Sequence, residues 1–231
     1  MSKFTKVLAT FMLMTAIVFF AGCKKNQDNS GFYDGHEYVD LGLPSGTLWA
    51  TCNVGASSPE DYGDYFAWGE THPKDCYDWS TYKYCNGDSD RLTKYCNNPS
   101  YGNNNFTDNL TTLMSEDDAA TVNWDKGCHI PTANQWKELT DHTSSIWTTQ
   151  NGVNGRLFTA KNGKSLFLPA AGCCYENEIG NANINGYYWS SSLYTDHPDN
   201  AWIVNFYSDR CDVNVQNRFY GPSVRPVRSG N

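Results

Sequence analysis

The chain has 231 residues, a formal net charge of −8, 15% aromatic and 18% charged residues. An acidic chain without clusters of basic residues argues against nucleic acid as a partner. About 200 residues remain beyond an N-terminal targeting segment, which suits one domain. The 8 tryptophans and 15 tyrosines can build its core, so we expect an irregular, loop-rich fold rather than disorder.

The N-terminus has the pattern of a bacterial lipoprotein signal peptide. Lys3 and Lys6 precede an apolar run that ends in Phe20-Ala21-Gly22-Cys23. This run is too short for a spanning helix. It resembles a lipobox in which Phe20 stands where leucine is more usual. The alternative is an ordinary cleaved signal in which Cys23 has no role.

The lipobox predicts three segments. Residues 1–22 form the signal peptide, residues 23–31 a lipidated tether, and residues 32–231 the folded domain. Acylation of Cys23 anchors the chain in a membrane without a transmembrane helix. Loss of Lys3 and Lys6 with the signal peptide takes the formal charge from −8 to −10. We expect an outer membrane lipoprotein on the periplasmic side or the cell surface.

Nine cysteines occur in the chain, eight of them after Cys23. Export permits disulfides, but their connectivity cannot be read from spacing. The adjacent Cys173 and Cys174 are not expected to bond to each other. Because the sequence contains no Cys-x-x-Cys pair and its five histidines are scattered, we predict neither a metal site nor a cofactor.

The first half of the chain contains short strands, a long loop and two helices. Alternation and turn residues predict strands at residues 37–41, 48–54 and 62–70. Residues 71–106 lack a sustained period and predict a long loop. Capping-box patterns that begin at Ser115 and Thr132 predict helices through Asn123 and His142. His129 and His142 border the second helix, where packing or capping is the expected role.

The second half contains only predicted strands. Asn162-Gly163 is a hairpin signal between strands at residues 156–161 and 164–168. Further strands are predicted at residues 187–192, 201–207, 212–216 and 224–228. Strands, then two helices, then strands indicate an α+β fold.

The predicted strand at 201–207 separates two kinds of side chain. Trp202, Val204 and Phe206 alternate with Ala201, Ile203, Asn205 and Tyr207. A two-residue period places these sets on opposite faces, so we expect the first face to be buried and the second to point outward. The returning strand alternates Asp212, Asn214 and Gln216 with Val213 and Val215.

The outward residues and their loops form the predicted ligand-binding set. Its members are Asp196, His197, Asp199, Ile203, Tyr207, Ser208, Asp209, Arg210, Asp212, Asn214, Phe219 and Tyr220. One interpretation is exposed loops that tolerate any soluble residue. The other is a recognition surface, because tyrosine, arginine, aspartate and serine supply contact area and adaptable hydrogen bonds.

Several motifs resemble those of a known family. They are residues 38–50 (YVDLGLPSGTLWA), 130–132 with Trp136, 168–172 (LPAAG), 188–192 (YWSSS) and 223–227 (SVRPV). Together they resemble the major paralogous domain of Bacteroidetes and Fibrobacter lipoproteins. That resemblance implies a C-type-lectin-like fold, similar to formylglycine-generating enzymes, in which two helices flank a twisted antiparallel sheet.

The tail also resembles the variable proteins of diversity-generating retroelements. The matching framework is Trp189–Ser192, Ala201-Trp202, Val204–Phe206, Val213, Arg218, Gly221 and 223–227. In such proteins, mutagenesis of adenines, chiefly in Asn codons, changes the residues between framework positions. Randomised adenines of an AAC codon cannot yield Lys, Glu, Gln, Trp or Met. Residues 193–222 contain no Lys, Glu or Met, whereas Gln216 lies outside the rule.

The sequence therefore favours a surface-anchored binding protein whose ligand is a protein, a cell surface or a glycan. A calcium-dependent sugar site at Asp196, Asp199 and Asn200 is a weaker version, since the usual lectin tripeptides are missing. A structural envelope lipoprotein without a specific ligand is an alternative. An oxidase like the formylglycine-generating enzymes needs a close cysteine pair, and Cys211 has no near partner in sequence. We predict no catalytic residues.

Overall fold

A computed structural model describes residues 29–230, of which most regular structure is β-strand. The strands are β1 (Gly31–Tyr33), β2 (His36–Asp40), β3 (Thr47–Ala50), β4 (Cys128–His129), β5 (Thr143–Gln150), β6 (Val153–Ala160), β7 (Ser165–Pro169), β8 (Cys173–Tyr175), β9 (Glu178–Gly180), β10 (Gly186–Leu193), β11 (Asn200–Phe206), β12 (Cys211–Asn217) and β13 (Val227–Ser229). The α-helices are α1 (Ala119–Asn123) and α2 (Ala133–His142), and 3-10 turns lie at Asn103–Asn105 and Ser115–Asp117.

The strands form four antiparallel sheets. Their orders are β1-β2-β3-β13-β4, β5-β6-β7, β8-β9 and β10-β11-β12. β13 lies between β3 and β4, so the end of the domain closes onto its beginning. Among the described residues, no helix is long and apolar enough to cross a membrane.

The expected α+β fold, with two helices flanking a sheet, is wrong. Strands account for 38% of the structure and helices for 10%, and the antiparallel sheet is curled. The predicted first helix breaks because Asp118 is extended, with φ −94° and ψ 112°. Its carboxylate accepts from the Thr121 and Ile130 amides. A 3-10 turn and one short α-helical segment remain on either side of it.

The second helix matches its prediction. Thr132 caps α2, and the reciprocal contact of Gln135 completes the predicted capping box. Trp136 and Leu139 are buried on one side of the helix, and Trp136 Nε1 donates to the Trp189 carbonyl at 3.0 Å. α2 thereby packs against β10, β11 and β12.

The strands predicted at residues 201–207 and 212–216 are confirmed as β11 and β12. The Asn162-Gly163 hairpin is confirmed between β6 and β7, and Gly163 has a φ of +83° that suits glycine. The predicted strand at residues 62–70 is wrong. There, Phe66 and Trp68 donate singly to the carbonyls of Pro222 and Arg218 rather than to one partner strand.

The three-stranded sheet β10-β11-β12 lies between two apolar clusters. Ala201 and Ile203 join the cluster on one face. Val204 and Phe206 join the cluster on the other, which includes Trp136 of α2. The expected division of β11 into one buried and one outward face is therefore wrong, because this central strand is covered on both sides.

Candidate functional site

The predicted ligand-binding residues occupy different parts of the three-stranded sheet. Residues 207–212 form the β11–β12 hairpin, whereas Asp196, His197 and Asp199 lie in the β10–β11 loop. These two groups lie at opposite ends of β11, which spans about 20 Å at the usual rise per residue. A single small ligand cannot contact both groups, so they form two separate candidate sites.

Two of the predicted contact residues are buried. Ile203 is 2% and Phe219 6% exposed, and both belong to the core on one face of the sheet. The expectation that they point outward is wrong. Ile203 is on the central strand, and Phe219 packs against Trp79 with ring centroids 5.0 Å apart.

Arg156 fixes the turn of the β11–β12 hairpin through hydrogen bonds to its backbone. Arg156 Nη1 donates to the carbonyls of Tyr207 at 2.8 Å and Arg210 at 2.7 Å, while Nε donates to Ser145 Oγ. The Tyr207 amide closes the turn onto the Arg210 carbonyl at 2.9 Å. The turn backbone is therefore fixed, while the side chains of Ser208, Asp209 and Arg210 are exposed.

Side chains of the hairpin also organise one another. The Arg210 guanidinium lies 4.6 Å from the centre of the Tyr207 ring. Arg210 Nε lies 3.7 Å from Asp212 Oδ2, and both side chains are more than half exposed. Because solvent screens such an exposed pair, it contributes little to stability. It does hold one cation and one anion beside an aromatic face.

A row of polar side chains continues from the hairpin across the sheet. Tyr187 of β10 and Asp212 of β12 both lie opposite Asn205 of β11, on the same face. Asn205 Nδ2 donates to Tyr207 Oη at 3.1 Å. Asn205 is 5% exposed, and its Oδ1 has no hydrogen-bond partner among the described residues. An unsatisfied buried acceptor costs stability, and its burial closes this oxygen to a donor from outside the protein.

We call Tyr187, Asn205, Tyr207, Ser208, Asp209, Arg210 and Asp212 the hairpin surface. Burial, together with the hydrogen bond to Tyr207, raises the pKa of Tyr187 to about 12. The phenol is thus neutral near pH 7 and can both donate and accept. Tyr187 was not in the predicted set. Its two-residue spacing from Trp189 could have placed it on this face.

An aromatic stack lies beside the hairpin surface. Tyr220 stacks on Phe219 with centroids 4.4 Å apart and on Tyr175 at 5.2 Å. Tyr175 is 46% exposed. The Cys174 amide donates to the Gly221 carbonyl at 2.9 Å and the Ser223 amide donates to the Tyr187 carbonyl at 3.1 Å, which connects the stack to β10 and the hairpin surface. Tyr175 was missed because no strand was predicted around β8.

The β10–β11 loop contacts the long loop of residues 71–106, although Asp199 Oδ1 is buried without a hydrogen-bond partner among the described residues. His197 Nδ1 and Tyr101 Oη are hydrogen bonded at 2.6 Å, and the imidazole stacks on Tyr194. The Asp199 carbonyl accepts from the Arg218 amide at 3.0 Å. Asp196 is exposed. This loop is tied to the long loop through Tyr101, so its residues serve packing between loops.

Asn214 lies on the edge strand between these two groups. Its side chain is exposed, but Oδ1 accepts from the Val215 amide at 2.8 Å. It therefore covers the strand edge, on the same face of the sheet as Asp212.

The cysteines show no sign of activation. All eight of those in the described residues are unpaired. Burial raises the pKa of Cys128, Cys174 and Cys211 to about 11, so these thiols are protonated near neutral pH and are poor nucleophiles. Cys211 is half-buried against the α2 side of the sheet.

The predicted ligand-binding residues line neither a metal site nor the best-formed pocket of the described residues. Residues 29–230 contain no group of three His, Cys, Asp or Glu side chains able to hold a metal ion. A pocket of about 160 Å³ is lined by Thr51, by Pro59 and by residues of β5, β6 and β7. It includes none of the predicted ligand-binding residues. The hairpin surface is thus an open face rather than a cleft.

Comparison with known protein families, with curated proteins and with solved structures finds no match.

Proposed function

We propose that this chain is a surface-anchored lipoprotein that binds a protein or glycan ligand at the hairpin surface. The observation that carries the proposal is the exposed turn of this hairpin, whose backbone is fixed by Arg156 and whose Arg210 guanidinium lies 4.6 Å from the centre of the Tyr207 ring. Tyrosine provides rigid, amphipathic contact area at low entropic cost. A ligand that stacks on the Tyr207 ring lies within reach of the Arg210 guanidinium and of the Asp212 carboxylate beside it.

The charged tips of the hairpin supply specificity. Asp209 and Asp212 present carboxylates, while Arg210 presents a guanidinium beside the Tyr207 ring. Exposed charges of this kind set partner choice and association rate more than affinity. Because Arg156 fixes the turn backbone, these tips are pre-organised and lose little entropy on binding.

Membrane attachment in this proposal depends on Cys23, which lies, with the signal peptide and most of the tether, outside the described residues. The motifs shared with the major paralogous domain support membership in that group of lipoproteins. Trp49, Trp189 and Arg225 from those motifs are fully buried. Their role is thus to hold the framework, and the binding residues lie between them.

A binding screen tests the proposed ligand site. Purified chain is applied to an array of purified glycans and to a set of purified envelope proteins, alongside the Tyr207→Ala variant. We expect at least one probe to bind the natural chain and to lose about tenfold in affinity with the variant. Absence of binding to every probe, with the fold intact, supports a structural envelope role instead.

We also propose that retroelement mutagenesis diversifies the exposed tip of this surface. The support is the residue content of 193–222 and the exposure of Ser208, Asp209, Arg210 and Asp212. Sequencing the 3′ end of the gene in several isolates tests it. Differences should concentrate at these codons, with an adenine-rich near-copy nearby. Evenly spread differences would remove this part of the proposal and leave the ligand site standing.

A further inference from the structure

β5 is an edge strand that pairs on one side only. Its eight residues pair with β6 from Thr143 opposite Ala160 to Gln150 opposite Val153 without a bulge. β6 continues to β7 on its other side. Among the described residues, no strand pairs with the other side of β5.

The hydrogen-bond phase of the sheet shows which backbone groups face the open side. In β6, the Asn154 carbonyl accepts from the Ala170 amide and the Ala160 amide donates to the Lys164 carbonyl. The backbone groups of these two residues therefore face β7. Alternate residues of β6 therefore bond to β5, at Ser144, Ile146, Thr148 and Gln150. The N–H and C=O groups of Ser145, Trp147 and Thr149 point to the open edge.

This edge lacks the features that usually protect edge strands. Its sequence, TSSIWTTQ, contains no charged residue, proline or glycine. β12, another long edge strand, is protected. Its outward amides at Val215 and Asn217 donate to the side chains of Asn214 at 2.8 Å and Gln216 at 3.2 Å. β12 caps its own edge, whereas β5 leaves a row of donors and acceptors available.

We propose that the β5 edge pairs with β5 of a second copy of this chain, in antiparallel orientation about a two-fold axis through Ile146. In this register Ser145 and Trp147 bond to Trp147 and Ser145 of the second copy. Ile146 meets its own counterpart in a non-hydrogen-bonded pair, where side chains lie about 5 Å apart. Ile146 is 59% exposed in the single chain.

Charge and symmetry select a second copy as the occupant. The chain carries a net charge of −8, so two copies repel each other wherever acidic surfaces meet. The eight residues of β5 are uncharged, and pairing them places no like charges opposite each other. The strand is also self-complementary about Ile146, because Ser144 then faces Thr148. One strand pair is a small interface, so the dimer forms and separates with concentration.

Two differently tagged full-length copies, expressed in the same cells and recovered together in mild detergent, test this pairing. Natural copies should co-purify. Ile146→Glu paired with itself, and Ile146→Lys paired with itself, should each reduce recovery of the second tag about tenfold, because like charges then meet on the axis. Glu paired with Lys should restore recovery. No contact with a different partner predicts that rescue.

Ile184→Glu is the matched control. Ile184 is 61% exposed and lies outside the strands, so it should leave co-purification unchanged. Thermal unfolding of each variant verifies the fold, which an exposed substitution should preserve. The proposal is overturned if natural copies do not co-purify, if Ile146→Glu copies associate as well as natural ones, or if the Glu and Lys copies stay apart.

Discussion

The two ends of β11 both use an arginine to hold backbone carbonyls, yet they differ in what remains open. At the loop end, Arg218 is fully buried and donates to Tyr82 Oη and to the carbonyls of Lys94, Tyr95 and Pro198. At the hairpin end, Arg156 fixes the turn, while charged side chains extend into solvent.

The difference separates stability from recognition. Arg218 is enclosed by the rings of Trp68, Tyr82 and Tyr95, and its bonds join the long loop to the β10–β11 loop. Such groups cannot change without loss of the fold. The hairpin end keeps the exposed side chains of Ser208, Asp209 and Arg210, which can change at little cost in stability. We therefore assign binding to the hairpin end.

The largest stability effect is expected for Arg218→Met. It leaves the carbonyls of Lys94, Tyr95 and Pro198 without this donor in a buried site, which costs about 4 kcal/mol. Urea unfolding measures the loss. Arg210→Met at the exposed hairpin is the matched control and should change the unfolding free energy by less than about 0.5 kcal/mol. Equal effects would show that the two ends do not differ as described.

Ile203→Ala should cost about 3 kcal/mol, because it removes methylenes from a closed core and leaves a cavity. Its partner across the same face of the strands is Asn214. Asn214→Ala should change stability by about 0.5 kcal/mol or less. Thermal or urea unfolding of both variants distinguishes a core residue from an exposed one. A change of less than about 0.5 kcal/mol for Ile203→Ala would contradict the burial of Ile203 in the core.

Asp117, which accepts from Lys94 beside the Arg218 site, makes the stability of this region depend on pH. Burial raises the pKa of Asp117, but hydrogen bonds from Lys94, Tyr84 and Tyr95 outweigh burial and hold it below the ordinary 3.8. A depressed carboxyl pKa stabilises the fold above that ordinary value, and the contribution disappears as pH falls through the lowered pKa.

The Asp117→Asn substitution should therefore destabilise the chain by about 2 kcal/mol at pH 7, because it leaves the Lys94 ammonium without its carboxylate. The difference from the natural chain should shrink as pH drops below 3.8. Urea unfolding at a series of pH values measures it. A difference that stays constant with pH would contradict the assignment of Asp117 as an ionised acceptor.

A smaller stability effect than those of Arg218→Met, Ile203→Ala and Asp117→Asn is expected for Tyr207→Phe. It removes the hydroxyl that accepts from Asn205, which costs about 1 kcal/mol or less. Binding should fall about fivefold, because the aromatic face remains while the hydrogen-bond network of the hairpin surface is cut. Titration with a probe identified by the glycan and protein screen measures this loss, and unchanged affinity would remove Tyr207 Oη from the site.

Local signals in the sequence predicted local structure. The capping box at Thr132 and the Asn162-Gly163 turn each depend on neighbouring residues, and both are confirmed. The long loop of residues 71–106 is also confirmed as a segment without α-helix or β-strand. β5 was not predicted, because serine and threonine give it little hydrophobic alternation.

Burial at β11 could not be predicted from the sequence. Alternation shows that a strand has two faces, but what covers each face depends on distant segments. Ile203 is buried in a cluster with Phe66 and Tyr82, more than a hundred residues away in sequence. The hairpin residues 207–212 were correctly placed on a turn and its flanking strands, because the polar stretch between two alternating segments is itself a local signal.

A paired binding measurement tests the central claim most directly. Tyr207→Ala at the hairpin surface and Tyr101→Ala at the loop end each remove one partly buried tyrosine with a hydrogen-bond partner. We predict that affinity for the best probe of the screen falls about tenfold for Tyr207→Ala and less than about twofold for Tyr101→Ala. A larger loss for Tyr101→Ala would contradict the claim and move the binding site to the opposite end of β11.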